Sequence, residues 1–174
     1  MSYKIRSGYT VVKFKGEYDW GGLYALIMNW LMERKYETHD KRYKEKIAGP
    51  AGAEIKSDIY GEKRHTSYTK LWISFRIRGF DYIEKEKIIN GKKRMMTGGR
   101  IAIRIITEVE FDWQNVFTGS PFRKMMGRFY DWVKKKDNEL LIIDVHEYET
   151  LRIEHEIKKF LGMETDTHAF VRGN

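Results

Sequence analysis

From Ser67 to Gly79 the chain alternates without a break. Thr69, Leu71, Ile73, Phe75 and Ile77 occupy one parity, and Tyr68, Lys70, Trp72, Ser74, Arg76 and Arg78 occupy the other. A period of two sends successive side chains to opposite faces of a strand. The segment can bury its apolar half only inside a sheet with one covered face and one face of different chemistry. Ile101, Ile103, Ile105, Val109, Phe111 and Trp113 repeat the pattern after Gly98 and Gly99, and predict a second long strand.

The rest of the chain supplies what such a sheet needs. A first strand is expected over Tyr9 to Tyr18, with Val12, Phe14 and Tyr18 on one face and Lys13, Lys15 and Glu17 on the other. Asp19 reads as the N-cap of a helix in which Trp20, Leu23, Tyr24, Ile27, Trp30 and Leu31 recur at helical spacing up to Tyr36. Glu37 to Lys46 has little apolar content and suits an exposed edge strand or extended arm. Gly49, Pro50 and Gly52 mark a turn before a strand over Ala53 to Tyr60. Asn90-Gly91 is a type I′ hairpin signal between Tyr82 to Ile89 and a basic run. Ser120-Pro121 opens a helix whose expected buried stripe is Phe122, Met125, Met126, Phe129, Trp132 and Val133. A last helix is expected from Asn138 to Leu161, ended by Gly162. The fold class is therefore α+β: one domain over residues 1–174, an antiparallel sheet of five to six strands, one helix after the first strand, and two C-terminal helices packed on one face.

Composition narrows the chemistry. The chain has no cysteine, which removes disulfides, thiolate metal sites and cysteine nucleophiles. The apolar stretches are far shorter than a span of about 20 residues and the N-terminus has no signal-peptide core, so a cytoplasmic protein with no membrane partner is expected. One glutamine (Gln114) beside abundant Lys, Arg, Glu and Ile points to a hot habitat. His39, His65, His146, His155 and His168 are scattered and match no metal-binding spacing, although His146 and Glu149 share a helix face. They read as surface or helix-packing groups, with no metal and no cofactor expected. Nucleophile elbows, phosphate loops and dinucleotide fingerprints are absent, so a non-enzymatic protein is expected. Glu108, Glu110 and Asp112 sit at alternate positions and read as one row of cross-strand ion-pair partners.

Net charge is +8 and unevenly distributed. From Asn138 to Ile157, Arg152 stands against Glu139, Asp144, Glu147, Glu149, Glu154 and Glu156, which is one minus six or −5, leaving +13 for the remainder. The basic remainder has its focus on the polar parity of the central strand. Lys70, Trp72, Arg76 and Arg78, joined by Arg100 and Arg104 from the next long strand, would make a basic face with an embedded aromatic. Lys92, Lys93 and Arg94 at the hairpin tip, and Arg123, Lys124 and Arg128 on the penultimate helix, would extend it. Bases stack on aromatic rings while lysine and arginine neutralise phosphates, so this pattern predicts single-stranded nucleic acid as partner. Two other functions are open. The acidic last helix, apolar on more than one side, could dock on the basic sheet of another copy to build homo-oligomers or filaments. A cavity between sheet and helix would instead hold a small molecule.

The spans 18–36, 109–115 and 160–170 resemble an uncharacterised family of small archaeal proteins. The resemblance implies an archaeal, cytoplasmic protein and carries no activity, cofactor or site residue with it.

Overall fold

The computed structural model describes residues 2–46, 53–89, 92–117, 119–137 and 142–163. Their order is β1 (Tyr3–Tyr18), α1 (Trp20–Glu33), β2 (Glu37–Lys46), β3 (Ala53–Arg64), β4 (Thr69–Ile89), β5 (Lys92–Phe111), α2 (Pro121–Asp137) and α3 (Asp144–Phe160). The strands form one sheet in the order β1-β5-β4-β3-β2, antiparallel at every junction. The α+β class, the helix after the first strand and the two C-terminal helices are as the sequence predicts. The strands are longer than expected: the segments on either side of Gly79 to Tyr82 are one strand, bent where the β4–β5 register shifts between Phe80 and Ile83. The two turns predicted at Gly49 to Gly52 and at Asn90-Gly91 lie outside the described residues, but β4 and β5 pair as far as Ile89 opposite Lys92.

Alternation decides which face is covered. Leu71, Ile73, Phe75 and Ile77 of β4 and Ile101, Ile103, Ile105, Val109 and Phe111 of β5 are buried beneath α1 and α3. From α1 come Leu23, Ile27, Trp30 and Leu31, and from α3 come Ile153 and Ile157, each at the three- or four-residue spacing that aligns one helix face. Ile153 and Ile157 thus pack α3 onto the apolar face, and Trp30 and Arg34 of α1 with Arg152 and Glu156 of α3 line a recess between the two helices. Asp19 caps α1, its carboxylate accepting from the Gly22 N–H at 2.8 Å. Ser120 caps α2 through the Arg123 N–H at 3.3 Å, and Gly162 ends α3 at φ 66°. No described helix is long and apolar enough to cross a membrane.

Helix α2 departs from expectation. Its apolar stripe lies in water, with Phe122 at 64%, Phe129 at 59% and Trp132 at 74% exposure. Periodicity tells that a helix has an apolar face and is silent on what covers it. Here α1 and α3 already close the core, and α2 meets the body by another side. Gly127 sits against Phe117, and the Tyr130 ring lies 4.9 Å from Tyr68 and 5.7 Å from Phe117.

Close approach of α3 to β1 depends on Gly8. A Cβ there would stand 2.5 Å from Thr150 Oγ1 and 2.7 Å from Thr107 Oγ1, atoms that hydrogen-bond to each other at 2.7 Å beneath the helix. Gly8→Val should therefore force α3 off the sheet and lower unfolding free energy by about 1–3 kcal/mol. Denaturant unfolding followed by circular dichroism checks this, and an unchanged midpoint would show that the contact is slack.

Candidate nucleic-acid interface

The face of the sheet turned away from α1 and α3 is a grid fixed by strand register. Reading across from β1 to β3, Lys15, Arg100 and Phe80 form one row, and Lys13, Ala102, Arg78 and Lys56 the next. Val11, Arg104, Arg76 and Asp58 form the third, and Tyr9, Ile106, Ser74 and Tyr60 the fourth. Beyond them lie Glu108, Trp72 and Glu62, then Lys4, Glu110, Lys70 and Arg64.

All six strand residues expected at the interface, Lys70, Trp72, Arg76, Arg78, Arg100 and Arg104, lie on this face. The structure divides them into two sets. At the Trp72 end the charges are mutually satisfied. Lys70 Nζ is 2.9 Å from the Glu62 carboxylate, and the Trp72 indole N–H donates to Glu110 at 2.7 Å. Lys4 Nζ sits 3.7 Å from the Trp72 ring centroid and Lys70 Nζ 4.8 Å from it. The ring expected to receive a base is therefore already engaged by ammonium groups. Trp72 and Lys70 thus lie on the expected face and are both engaged within it, Trp72 with Glu110 and Lys70 with Glu62.

The other end is cationic. Arg78 takes the Asp58 carboxylate at 2.7 Å, and Arg100 takes Asp81 at 2.7 Å. Asp58 stands directly opposite Arg76 in the β3–β4 register, yet it turns to Arg78 on the same strand. Arg76 is left facing Arg104 on β5, both exposed, with no acid within 4 Å of either among the described residues. Like charges directly opposite in an antiparallel pair are unfavourable, so an anion laid across them removes a repulsion as well as making contacts. Lys13 and Lys15, both exposed, continue the patch onto β1. The adjoining row carries the aromatic surface, with Tyr9 52% exposed and Tyr60 half-buried. Lys13, Lys15 and Tyr9 were missing from the expected interface. Their polar-face parity is legible in β1, but only the β1–β5 register places them beside Arg100, Arg104 and Ile106.

The remaining basic groups are elsewhere. Arg94 lies ten positions along β5 from Arg104, about 33 Å of strand. Lys93 at that tip pairs with Glu86 at 3.6 Å, and the Lys92 and Arg94 side chains lie outside the described residues. Lys124 and Arg128 line a recess with Tyr3, Tyr68, Asp112 and Phe117 at the opposite end of the sheet, so α2 does not extend the cationic end. Asp112 leaves the expected acidic row. It is buried at φ 52°, beyond the end of β5, and its carboxylate accepts from the Val116 N–H at 2.7 Å.

Two further groupings bear on chemistry. Glu37, His39 and Glu62 bring potential metal-ligating atoms within 4.8 Å of one another at the β2–β3 edge, a proximity the scattered histidines did not foretell. Lys70 already compensates Glu62 there. Beneath α3, the Ser7 hydroxyl is 3.0 Å from His146 Nδ1, and the Tyr36 hydroxyl is 3.2 Å from Nε2 and 2.7 Å from Glu149. Because Tyr36 donates to the carboxylate, Nε2 carries the histidine proton and Nδ1 accepts from Ser7. This has the spacing of a nucleophile and base, but Ser7 is 8% exposed and His146 1% exposed under the helix. It acts as a polar fastener between α3, β1 and the start of β2, with His146 and Glu149 on one helix face as expected.

No protein-family model matches the chain, and no curated protein matches it.

Burial, reinforced by Lys63 and His65, pushes the His146 pKa down to about 4 from its ordinary 6.5. The folded protein keeps this imidazole neutral where the unfolded chain protonates it. Its contribution is full above pH 6.5 and is lost as pH falls from 6.5 to 4, amounting to about 3 kcal/mol. Denaturant midpoints measured across that window should fall in the parent and flatten in His146→Gln; parallel profiles would refute a neutral buried histidine.

Proposed function

We propose that the protein is a non-enzymatic nucleic-acid-binding protein that uses the cationic half of its open sheet face. The observation carrying this reading is the Arg76–Arg104 pair, exposed, directly opposed and without an acidic partner among the described residues. A stable sheet gains nothing from that juxtaposition by itself. A phosphate backbone crossing from β4 to β1 would meet Arg76, Arg104 and then Lys13, with Arg78 and Arg100 at its margins. Alongside lies the uncharged row from Tyr9 through Ile106 and Ser74 to Tyr60, a surface on which bases would stack while the backbone stays on the arginines. An extended, single-stranded chain fits an open sheet face better than a duplex, whose bases are stacked inside.

The outer side of α3 supports a second reading, self-assembly. Val145 and Tyr148 are exposed there beside the exposed acids Asp144, Glu147 and Glu156, so the acidic helix of one copy could cover the cationic sheet of the next. Nucleic acid and a second copy would compete for the same arginines.

A labelled single-stranded oligonucleotide should bind at low salt and weaken steeply as salt rises. Arg76→Ala with Arg104→Ala should reduce affinity by about tenfold or more and lower the salt slope by about 1 per arginine. Absence of binding, or an affinity indifferent to the double substitution, ends the proposal. Light scattering over a range of protein concentrations checks the second reading: a constant monomer mass excludes it, and growth of mass that the same two substitutions suppress supports it.

A further inference from the structure

Helix α2 leaves unexplained the largest apolar side chains that the described surface displays. Phe122, Met125, Met126, Phe129, Trp132 and Val133 are all exposed, five of them by more than half. At 100° per residue they fall within an arc of about 120°. Arg128 borders this stripe on one side, while on the other Tyr130 comes first and Arg123 just beyond it, with Lys124 further round; all three basic groups are exposed. Gly127 and Tyr130, which hold α2 to Phe117 and Tyr68, lie outside the arc. The helix is thus anchored by one side and presents an apolar stripe with cationic edges by another. Its sequence carries Arg123, Lys124, Arg128, Lys134, Lys135 and Lys136 against Asp131 and Asp137, six minus two or +4.

Three occupants can be weighed by charge and shape. A second α2 would match the apolar stripe but would set +4 against +4. The acidic α3 of another copy offers the right charge, but its exposed apolar groups are Val145, Tyr148 and the margin of Phe160, too few to cover six large side chains. An anionic lipid surface matches both properties. It accepts a continuous apolar stripe of any outline, and its headgroups meet arginine and lysine at the edges. A helix of 17 residues, about 25 Å long, lies in the interface without spanning it.

We propose that α2 is an interfacial helix that docks the protein on anionic lipid bilayers, with the Phe122–Val133 stripe inserted among the acyl chains and Arg123 and Arg128 at the headgroups. The earlier expectation of no membrane partner rested on the lack of a spanning segment, which does not bear on a helix lying in the interface. The proposal is independent of the sheet face, which lies on other elements.

Co-sedimentation of the full chain with vesicles tests it. The protein should pellet with phosphatidylcholine–phosphatidylglycerol vesicles, and far less with phosphatidylcholine alone. Phe129→Glu with Trp132→Glu should keep the parent's melting temperature, since both side chains are exposed, and lower partitioning by about tenfold or more. Arg123→Glu with Arg128→Glu should abolish the preference for phosphatidylglycerol. Three outcomes would overturn the proposal: no pelleting with either vesicle, pelleting unaffected by Phe129→Glu with Trp132→Glu, or lipid-free self-association that this variant abolishes, which would assign the stripe to a second copy.

Discussion

Antiparallel pairing of β4 with β5 is the constraint on which the other features depend. Much of the described core comes from these two strands and from Ile153 and Ile157 of α3, and the same register that aligns Ile73, Phe75 and Ile77 with Thr107, Ile105 and Ile103 also aligns Arg76 with Arg104. The two faces are not independent designs. A slip of one residue would bury the arginines and expose the isoleucines, at a cost of about 1.5–3 kcal/mol for each large apolar side chain exposed. The hydrophobic face therefore holds the cationic face in place, and no contact among the cations is needed to do so.

Within that frame, ion pairing sorts the open face into an occupied end and an available one. Around Trp72, Lys70 meets the Glu62 carboxylate, Lys4 meets the Trp72 ring, and the indole N–H meets Glu110. Toward the β4–β5 bend, Asp58 can satisfy one arginine, and it satisfies Arg78. Availability is decided by which neighbour a single carboxylate selects. That choice depends on side-chain direction across the strand as well as on composition.

This explains what the sequence could and could not disclose. Alternation identified β4, β5 and the polar parity of β1, because period two is imprinted residue by residue. The caps at Asp19, Ser120 and Gly162 were legible for the same reason: each is a local hydrogen-bonding or backbone requirement. Strand order was not local, so Lys13, Lys15 and Tyr9 could not be joined to Arg104, and the ring of Trp72 could not be seen beneath Lys4. Burial of α2 failed for a related cause. An amphipathic pattern records that a helix has two sides, while Gly127 and Tyr130, which hold it, look unremarkable in sequence. The hydrogen bonds joining Ser7, Tyr36 and His146 link segments over a hundred residues apart and leave no periodic trace.

The extra residue in β1, where the register shifts between Arg6 and Gly8, gives Ser7 to the helix side and returns Lys4 and Arg6 to the open side. Without it, parity carried back from Val12 would turn Arg6 inward and send Ile5 out. The bulge works as a half-period phase shifter: one strand reads as two arms in opposite phase. Single-residue insertions or deletions in β1 are consequently not equivalent. Those on the Tyr3 side of Ser7 would reassign only a short terminal arm, whereas those beyond Gly8 would invert the chemistry of the strand that borders the cationic patch.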